Sequence, residues 1–122
     1  MKKKIRILIV EDEVIIAQSL KLELENEGFE VCSFVASGEE AISEAKEKKP
    51  DVILMDIHLF GEIDGIEAAL EIIAYKKNPI IFMTGYSESN IFVRAQKVNP
   101  IAYLHKPVEI YNLKPVIESI FD

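Results

Sequence analysis

Five short apolar runs alternate strictly with amphipathic stretches along this chain, and few folds accommodate that order. The runs lie near 5–10, 29–35, 51–56, 79–84 and 101–104 and are rich in Ile, Val, Phe and Leu, as strands buried on both faces are. Strands that alternate with helices need crossover connections, which predicts an α/β fold: a doubly wound parallel sheet with helices on both faces. At 122 residues the chain reads as one domain, 1–122, able to bury roughly two thirds of its unfolded surface around one core.

The stretches between the runs carry helix start and stop signals. Residues 13–27 place Val14, Ile15, Leu20, Leu22 and Leu24 at mixed helical spacing and close on Gly28, a C-cap candidate. Residues 38–48 predict a second helix that ends before Pro50. Asp64-Gly65 opens a third, with Ile66, Ala69, Leu70 and Ile73 on one side and Asn78-Pro79 as its stop. A fourth helix spans about 87–98 from a Ser87 cap, and a fifth covers about 112–121. Pro115 would break the interior of that last helix, so Asn112 is taken as its N-cap, which puts the proline in the first turn. There is no internal repeat, linker or low-complexity segment.

Composition excludes several function classes. The longest apolar runs are far short of a bilayer span, so no membrane association is expected. Met1-Lys2-Lys3-Lys4 is basic, but a strand-length run containing Arg6 and then acids follow it. That is not a signal peptide, and a cytoplasmic location is expected. Cys32, the single cysteine, cannot form an internal disulfide, no Cys/His cluster has zinc-ligand spacing, and Cys32 reads as a small core hydrophobe. A net charge of −7 argues against direct nucleic-acid binding, which needs clustered Lys and Arg. The Lys46, Lys48, Lys49 group suits the solvated C-terminal turn of a helix.

In open α/β sheets function collects at the carboxyl ends of the strands. There this sequence puts Glu11-Asp12 after the first run, Asp56 at the end of the third, Thr84 at the end of the fourth, and His105-Lys106-Pro107 after the fifth. Carboxylates a few Å apart repel by roughly 4 kcal/mol per close pair at an effective dielectric near 20. A chain tolerates that for a cation or a reaction. Each residue alone has a plainer reading: Asp56 a turn cap, Glu11-Asp12 charges suited to a helix dipole, Thr84 a β-former, Tyr103 a core aromatic. Only their combination argues for a site.

Glu11-Asp12, Asp56, Asp64-Gly65, Thr84, Tyr103 and Lys106-Pro107 together resemble, in order and spacing and over the whole chain, the receiver domain of two-component response regulators. The resemblance implies a flavodoxin-like sheet of five strands in the order 2-1-3-4-5 with five helices. It implies that Asp56 accepts a phosphoryl group from a phosphohistidine on a histidine kinase or histidine phosphotransfer protein. Phosphoryl transfer asks mainly for positioning and charge neutralisation. Mg²⁺ is therefore expected, with Asp12 and Asp56 as direct ligands, Glu11 acting through water, and the backbone carbonyl of His58 completing the set. Lys106 would supply a point charge and Thr84 a hydroxyl to the phosphoryl oxygens. Thr84 and Tyr103 would form the switch, and Pro107 would follow a cis Lys-Pro bond. The expected output surface is the fourth helix, fifth strand and fifth helix, acting on an unknown partner or output domain, with dimerisation on phosphorylation a possibility the family raises. Self-phosphorylation and self-dephosphorylation apart, no enzyme activity is expected.

The sequence departs from the family between Asp56 and Asp64-Gly65. The loop His58-Leu59-Phe60-Gly61-Glu62-Ile63 is one residue longer than usual and lacks the usual proline, and Gly61 can supply a positive φ in its place. His58, Gly85 and Tyr86 occupy positions that in the family govern access to the acyl phosphate. Gly85 leaves the path open, whereas the two rings should hinder water and slow self-dephosphorylation. Two alternatives are weaker. A haloacid-dehalogenase-like phosphatase needs a second aspartate two residues after the first, where His58 stands. A degenerate receiver acting only as an interaction module would be expected to lack the acidic pair or the lysine.

Overall fold

The computed structural model describes residues 3–85 and 89–121. Five strands, β1 (Arg6–Val10), β2 (Glu30–Val35), β3 (Val52–Asp56), β4 (Ile80–Thr84) and β5 (Ala102–His105), alternate with five helices. The helices are α1 (Val14–Asn26), α2 (Gly38–Lys48), α3 (Gly65–Tyr75), α4 (Ser89–Gln96) and α5 (Ile110–Ile120). All strand pairs are parallel and the order is β2-β1-β3-β4-β5, the flavodoxin-like arrangement.

Alternate residues of the central strands feed two separate cores. Leu8, Val10, Ile53, Met55, Ile80 and Phe82 face α2, α3 and α4, while Ile7, Ile9, Val52, Leu54, Ile81 and Met83 face α1 and α5. With both faces covered, strands β3 and β4 are buried along their whole length. Each enclosed Ile, Leu, Met or Phe contributes about 1.5–3 kcal/mol relative to exposure.

Helix ends follow local chemistry. In α1, Gly28 at φ 94° lets the Phe29 N–H donate to Leu24 O (3.1 Å) and its own N–H to Glu25 O (3.1 Å), a Schellman ending in which Phe29 and Leu24 join the same core. Ser37 caps α2, accepting the Glu40 N–H on its hydroxyl and donating that hydroxyl to the Glu40 carboxylate, and a capping box of Asp64 with Glu67 opens α3.

Several sequence expectations need correction. In α1 the core contacts come from Ala17, Leu20 and Leu24, whereas Val14, Ile15 and Leu22 are exposed, because the 3.6-residue period puts them on the outer side. Leu70 of α3 likewise points outward, and Ala68 and Ile72 take the inward positions. Helix α5 begins at Ile110, not Asn112, with Glu109 as N-cap, so Pro115 lies inside it with no N–H for the Tyr111 carbonyl. Packing of Leu113 and Ile117 into the core outweighs that loss. Helix α4 is shorter than expected, Ser89–Gln96, with left-handed Asn99 ending the turns after it, and Ser87 lies outside the described residues. Cys32 is half-buried: it is the extra residue where the β1–β2 register shifts, and its thiol donates to Ile7 O at 3.4 Å. Among the described residues no helix is long and apolar enough to cross a membrane.

Candidate functional site at the carboxyl edge of the sheet

Strand register brings the acids together. Val10 lies opposite Met55, Asp56 opposite Met83 and Thr84 opposite His105, so the residues that end or follow β1, β3, β4 and β5 reach one edge at the same height. Backbone bonds continue past the strands and hold this edge: Glu11 N–H to Val35 O (2.9 Å), Ile57 N–H to Met83 O (3.2 Å) and Lys106 N–H to Thr84 O (2.8 Å). The Lys106–Pro107 peptide bond is cis.

Glu11, Asp12 and Asp56 each place a carboxylate oxygen within 4.8 Å of the others. Glu11 is 2% exposed and Asp56 4% exposed, while Asp12 is half-buried. The Lys106 ammonium donates to Glu11 Oε1 at 2.5 Å and to Asp56 Oδ2 at 2.9 Å. Burial opposes its charge, but the hydrogen bonds and charges of Asp56 and Glu11 prevail and hold its pKa above the ordinary lysine range. Burial, and then the neighbouring Glu11, push the Asp12 carboxyl upward, with Lys106 offsetting part. One ammonium against three carboxylates leaves the cluster anionic, and each like-charge pair costs about 3 kcal/mol at an effective dielectric near 20.

The donor set is all oxygen and carries surplus negative charge, which fits a hard divalent cation such as Mg²⁺ and not a soft metal. The pocket on that side, about 440 Å³, is lined by Asp12 and by the loop from His58 to Asp64. On the other side a groove of about 480 Å³ runs along Ile15, Ile16 and Leu20 of α1 to Met83, Lys106 and Pro107.

Thr84 is fully buried. The Tyr103 hydroxyl is sealed from solvent near Thr84 and has no hydrogen-bond partner among the described residues. Burial pushes the Tyr103 pKa up, and Thr84 offsets only part of that. The Tyr103 ring lies edge-on to Phe92 of α4 (5.1 Å) and to His105 (5.8 Å). His105 itself is exposed, as are His58 and Gly85, and a Cβ added at Gly85 would meet open space. Tyr86 lies outside the described residues.

Sequence reasoning missed three contributors. Gly65 packs so tightly that an added Cβ would lie 2.0 Å from the Asp56 carbonyl oxygen, a constraint hidden by the plainer view of Asp64-Gly65 as a helix cap. Arg94 of α4 pairs with Asp64 at 2.9 Å. Glu39 of α2 accepts the Glu62 N–H at 3.1 Å. The last two are charged residues on helix surfaces, and nothing local distinguishes them.

The family model of the response regulator receiver domain matches residues 7–118. The transcriptional regulatory protein PdtaR of Mycobacterium tuberculosis is 39% identical over 113 residues, covering 93% of this chain and 55% of that protein. A protein-glutamate methylesterase/protein-glutamine glutaminase of Paramagnetospirillum magneticum is 34% identical over 92% of this chain and 33% of its own length. The chain thus spans about half or less of these curated relatives. Among solved structures, the signal receiver domain of a modulated diguanylate cyclase from Desulfovibrio desulfuricans G20 superposes with a TM-score of 0.90 at 40% identity, covering 96% of this chain and 93% of that one. A CheY-like receiver domain protein from Methanospirillum hungatei JF-1 gives a TM-score of 0.90 at 29% identity over 97% of this chain and 94% of that one. The chain belongs to the response regulator receiver domain family.

Proposed function

We propose that the chain, acting over 1–122 as one receiver unit in the cytoplasm, is a phosphorylation-driven switch whose phosphoryl acceptor is Asp56. The observation that carries this reading is the convergence of Asp56 with Glu11, Asp12 and Lys106 at one strand edge. A carboxylate oxygen of Asp56 attacks the phosphorus of a phosphohistidine on a histidine kinase or histidine phosphotransfer protein. A P–O bond forms, the P–N bond breaks, and the imidazole leaves with a proton. Lys106 already touches Asp56 and can follow the transferred oxygens as a mobile point charge, leaving Glu11 behind. Thr84 turns its hydroxyl to the same oxygens, which frees space beside the Tyr103 hydroxyl and links the site to α4, β5 and α5. Asp12, Asp56 and the His58 backbone carbonyl would hold Mg²⁺, with Glu11 acting through water. When bound, that ion neutralises charge on the cluster and on the phosphoryl group.

The α4–β5–α5 surface then acts on a partner or output domain, with phosphorylation-dependent pairing of two copies as one outcome. The surplus of acid supports action through a partner and not through direct contact with nucleic acid. A haloacid-dehalogenase-like reaction is disfavoured because His58 stands where that chemistry needs a second aspartate. Mass spectrometry after incubation with a small phosphodonor and Mg²⁺ tests the reading. Wild type should gain one phosphoryl group and Asp56→Asn none. An unmodified wild type, or a variant that still gains the mass, would overturn it.

A further inference from the structure

The loop after β3 is held from outside. Its two ends are closed by the Gly65 N–H donating to Ile57 O at 2.7 Å, and the residues between would otherwise be an open excursion over the acid site. Three successive contacts pin that excursion to the first turn of α2. Phe60 pairs its backbone with Ser37 in an isolated parallel bridge. The Glu62 N–H donates to Glu39 Oε2 at 3.1 Å, and Gly61, at φ 100°, sits so close to Glu39 that an added Cβ would lie 2.5 Å from Oε1. Ile63 rests on Gly38, where an added Cβ would meet Ile63 Cγ1 at 2.8 Å.

Glu39 is not needed by its own helix. The N-cap of α2 engages Glu40, whose N–H donates to Ser37 Oγ (3.1 Å) and whose carboxylate accepts the Ser37 hydroxyl (3.0 Å). The Glu39 carboxylate is therefore available to the loop, and the positive φ of Gly61 is what aims the Glu62 N–H at it. The lengthened loop, lacking proline, gains from α2 the definition that its own sequence does not supply.

We infer that Glu39 is a positioning residue for the cation site: by clamping Gly61 and Glu62 it fixes the loop that carries His58, and so sets the affinity for Mg²⁺. This rests on the phosphoryl-acceptor reading, in which the His58 carbonyl is a ligand. Groups that hold ligands in place contribute strongly to metal affinity without touching the ion.

Titration calorimetry with MgCl₂ on wild type, Glu39→Ala, Glu39→Gln and Glu40→Ala tests it, together with amide hydrogen exchange and thermal melting. Glu39→Ala should weaken Mg²⁺ binding about tenfold, the low end for groups behind a metal ligand, and speed exchange at Glu62. Glu39→Gln keeps an acceptor oxygen and should recover most of the loss. Glu40→Ala removes a helix cap and should lower the melting temperature while leaving Mg²⁺ affinity intact. In phosphodonor assays the Mg²⁺ concentration for half-maximal labelling should rise in Glu39→Ala, with the rate at saturating Mg²⁺ preserved. Unchanged affinity in Glu39→Ala, equal losses in Glu39→Ala and Glu39→Gln, or an equal loss in Glu40→Ala would overturn the inference alone. A wild type that binds no Mg²⁺ would overturn both it and the reading beneath it.

Discussion

Arg94 of α4 reaches across to Asp64, the N-cap of α3, and closes an ion pair of 2.9 Å on the Oδ2 that the cap does not use. The other oxygen accepts the Glu67 N–H at 2.8 Å. One carboxylate thus fixes the start of α3, just past the loop over the acid site, and ties it to the helix that carries Phe92 against Tyr103. Movement of α4 relative to α3 must break or stretch this pair.

Asp64→Ala should therefore cost more than Arg94→Ala. The former loses an N-cap worth about 1 kcal/mol as well as the ion pair, while the latter loses only a partly exposed pair worth about 0.2–1 kcal/mol. Urea denaturation of both single variants and the double variant gives the coupling directly. A zero coupling energy would show that the pair does not link the helices.

Lys106→Met should destabilise the protein by about 2 kcal/mol, below the 3–5 kcal/mol of a sealed pair because the acid site is open at Asp12. The enclosed carboxylates of Glu11 and Asp56 would be left without their cation. The pKa of Lys106 is raised in the fold, so its contribution is fully present below the ordinary lysine value and is lost as pH rises through the folded one. The difference from wild type should be flat through neutral pH and shrink only above about 10.5. Added Mg²⁺ should raise the melting temperature of the variant more than that of wild type. Equal Mg²⁺ effects on the two would count against a shared cation site.

Strand positions and their acids were legible because both are written locally. An unbroken apolar run ending in Asp56 needs no distant information, and parallel register then fixes its height against Met83. Helix faces were less legible in α1, where Val14, Ile15 and Leu22 are as apolar as the inward Leu20 and Leu24, so apolar residues lie on both sides of the helix. Pro115 misled because its local cost is real but smaller than the burial of Leu113 and Ile117 on either side. Glu39 and Arg94 were invisible because their roles exist only between elements: Glu39 meets a residue 23 positions away. The family resemblance identified the acid site but could not give the path of the His58–Ile63 loop, where this sequence departs from it.

Tyr103→Phe should be nearly neutral at pH 7, within about 1 kcal/mol of wild type, because the hydroxyl it removes is buried without a full hydrogen bond. Burial raises the pKa of Tyr103 in the fold, so wild type keeps its stability relative to Tyr103→Phe below about 10, the ordinary tyrosine value, and loses it as pH rises from there through the folded value. Ultraviolet titration should show a late-ionising phase in wild type that is missing from the variant. A variant with the same late phase would mean that Tyr103 is not the sealed ring.

Gly65 and Gly85 flank the site and should respond oppositely to alanine. At Gly65 the new methyl would strike the Asp56 backbone, which cannot yield without moving Asp56, so a loss of about 3 kcal/mol or more is expected. At Gly85 there is open space, and Gly85→Ala should melt with wild type. Thermal melts of the two variants decide this, and a destabilised Gly85→Ala with an unaffected Gly65→Ala would invert the geometry described for the edge.

From the sequence, loss of phosphate from Asp56 is expected to be slow, with the rings of His58 and Tyr86 hindering in-line water; Tyr86 itself lies outside the described residues. His58 is exposed, so truncating it opens the approach with little effect on the core. His58→Ala should therefore dephosphorylate faster than wild type, and the double variant with Tyr86→Ala faster still, as followed by mass after the phosphodonor is removed. The His58 carbonyl remains in both variants, so their labelling should keep the Mg²⁺ dependence of wild type. Faster loss at unchanged Mg²⁺ dependence separates the shielding role of the ring from the ligand role of the backbone, and a double variant that keeps its phosphate as long as wild type would refute the shielding.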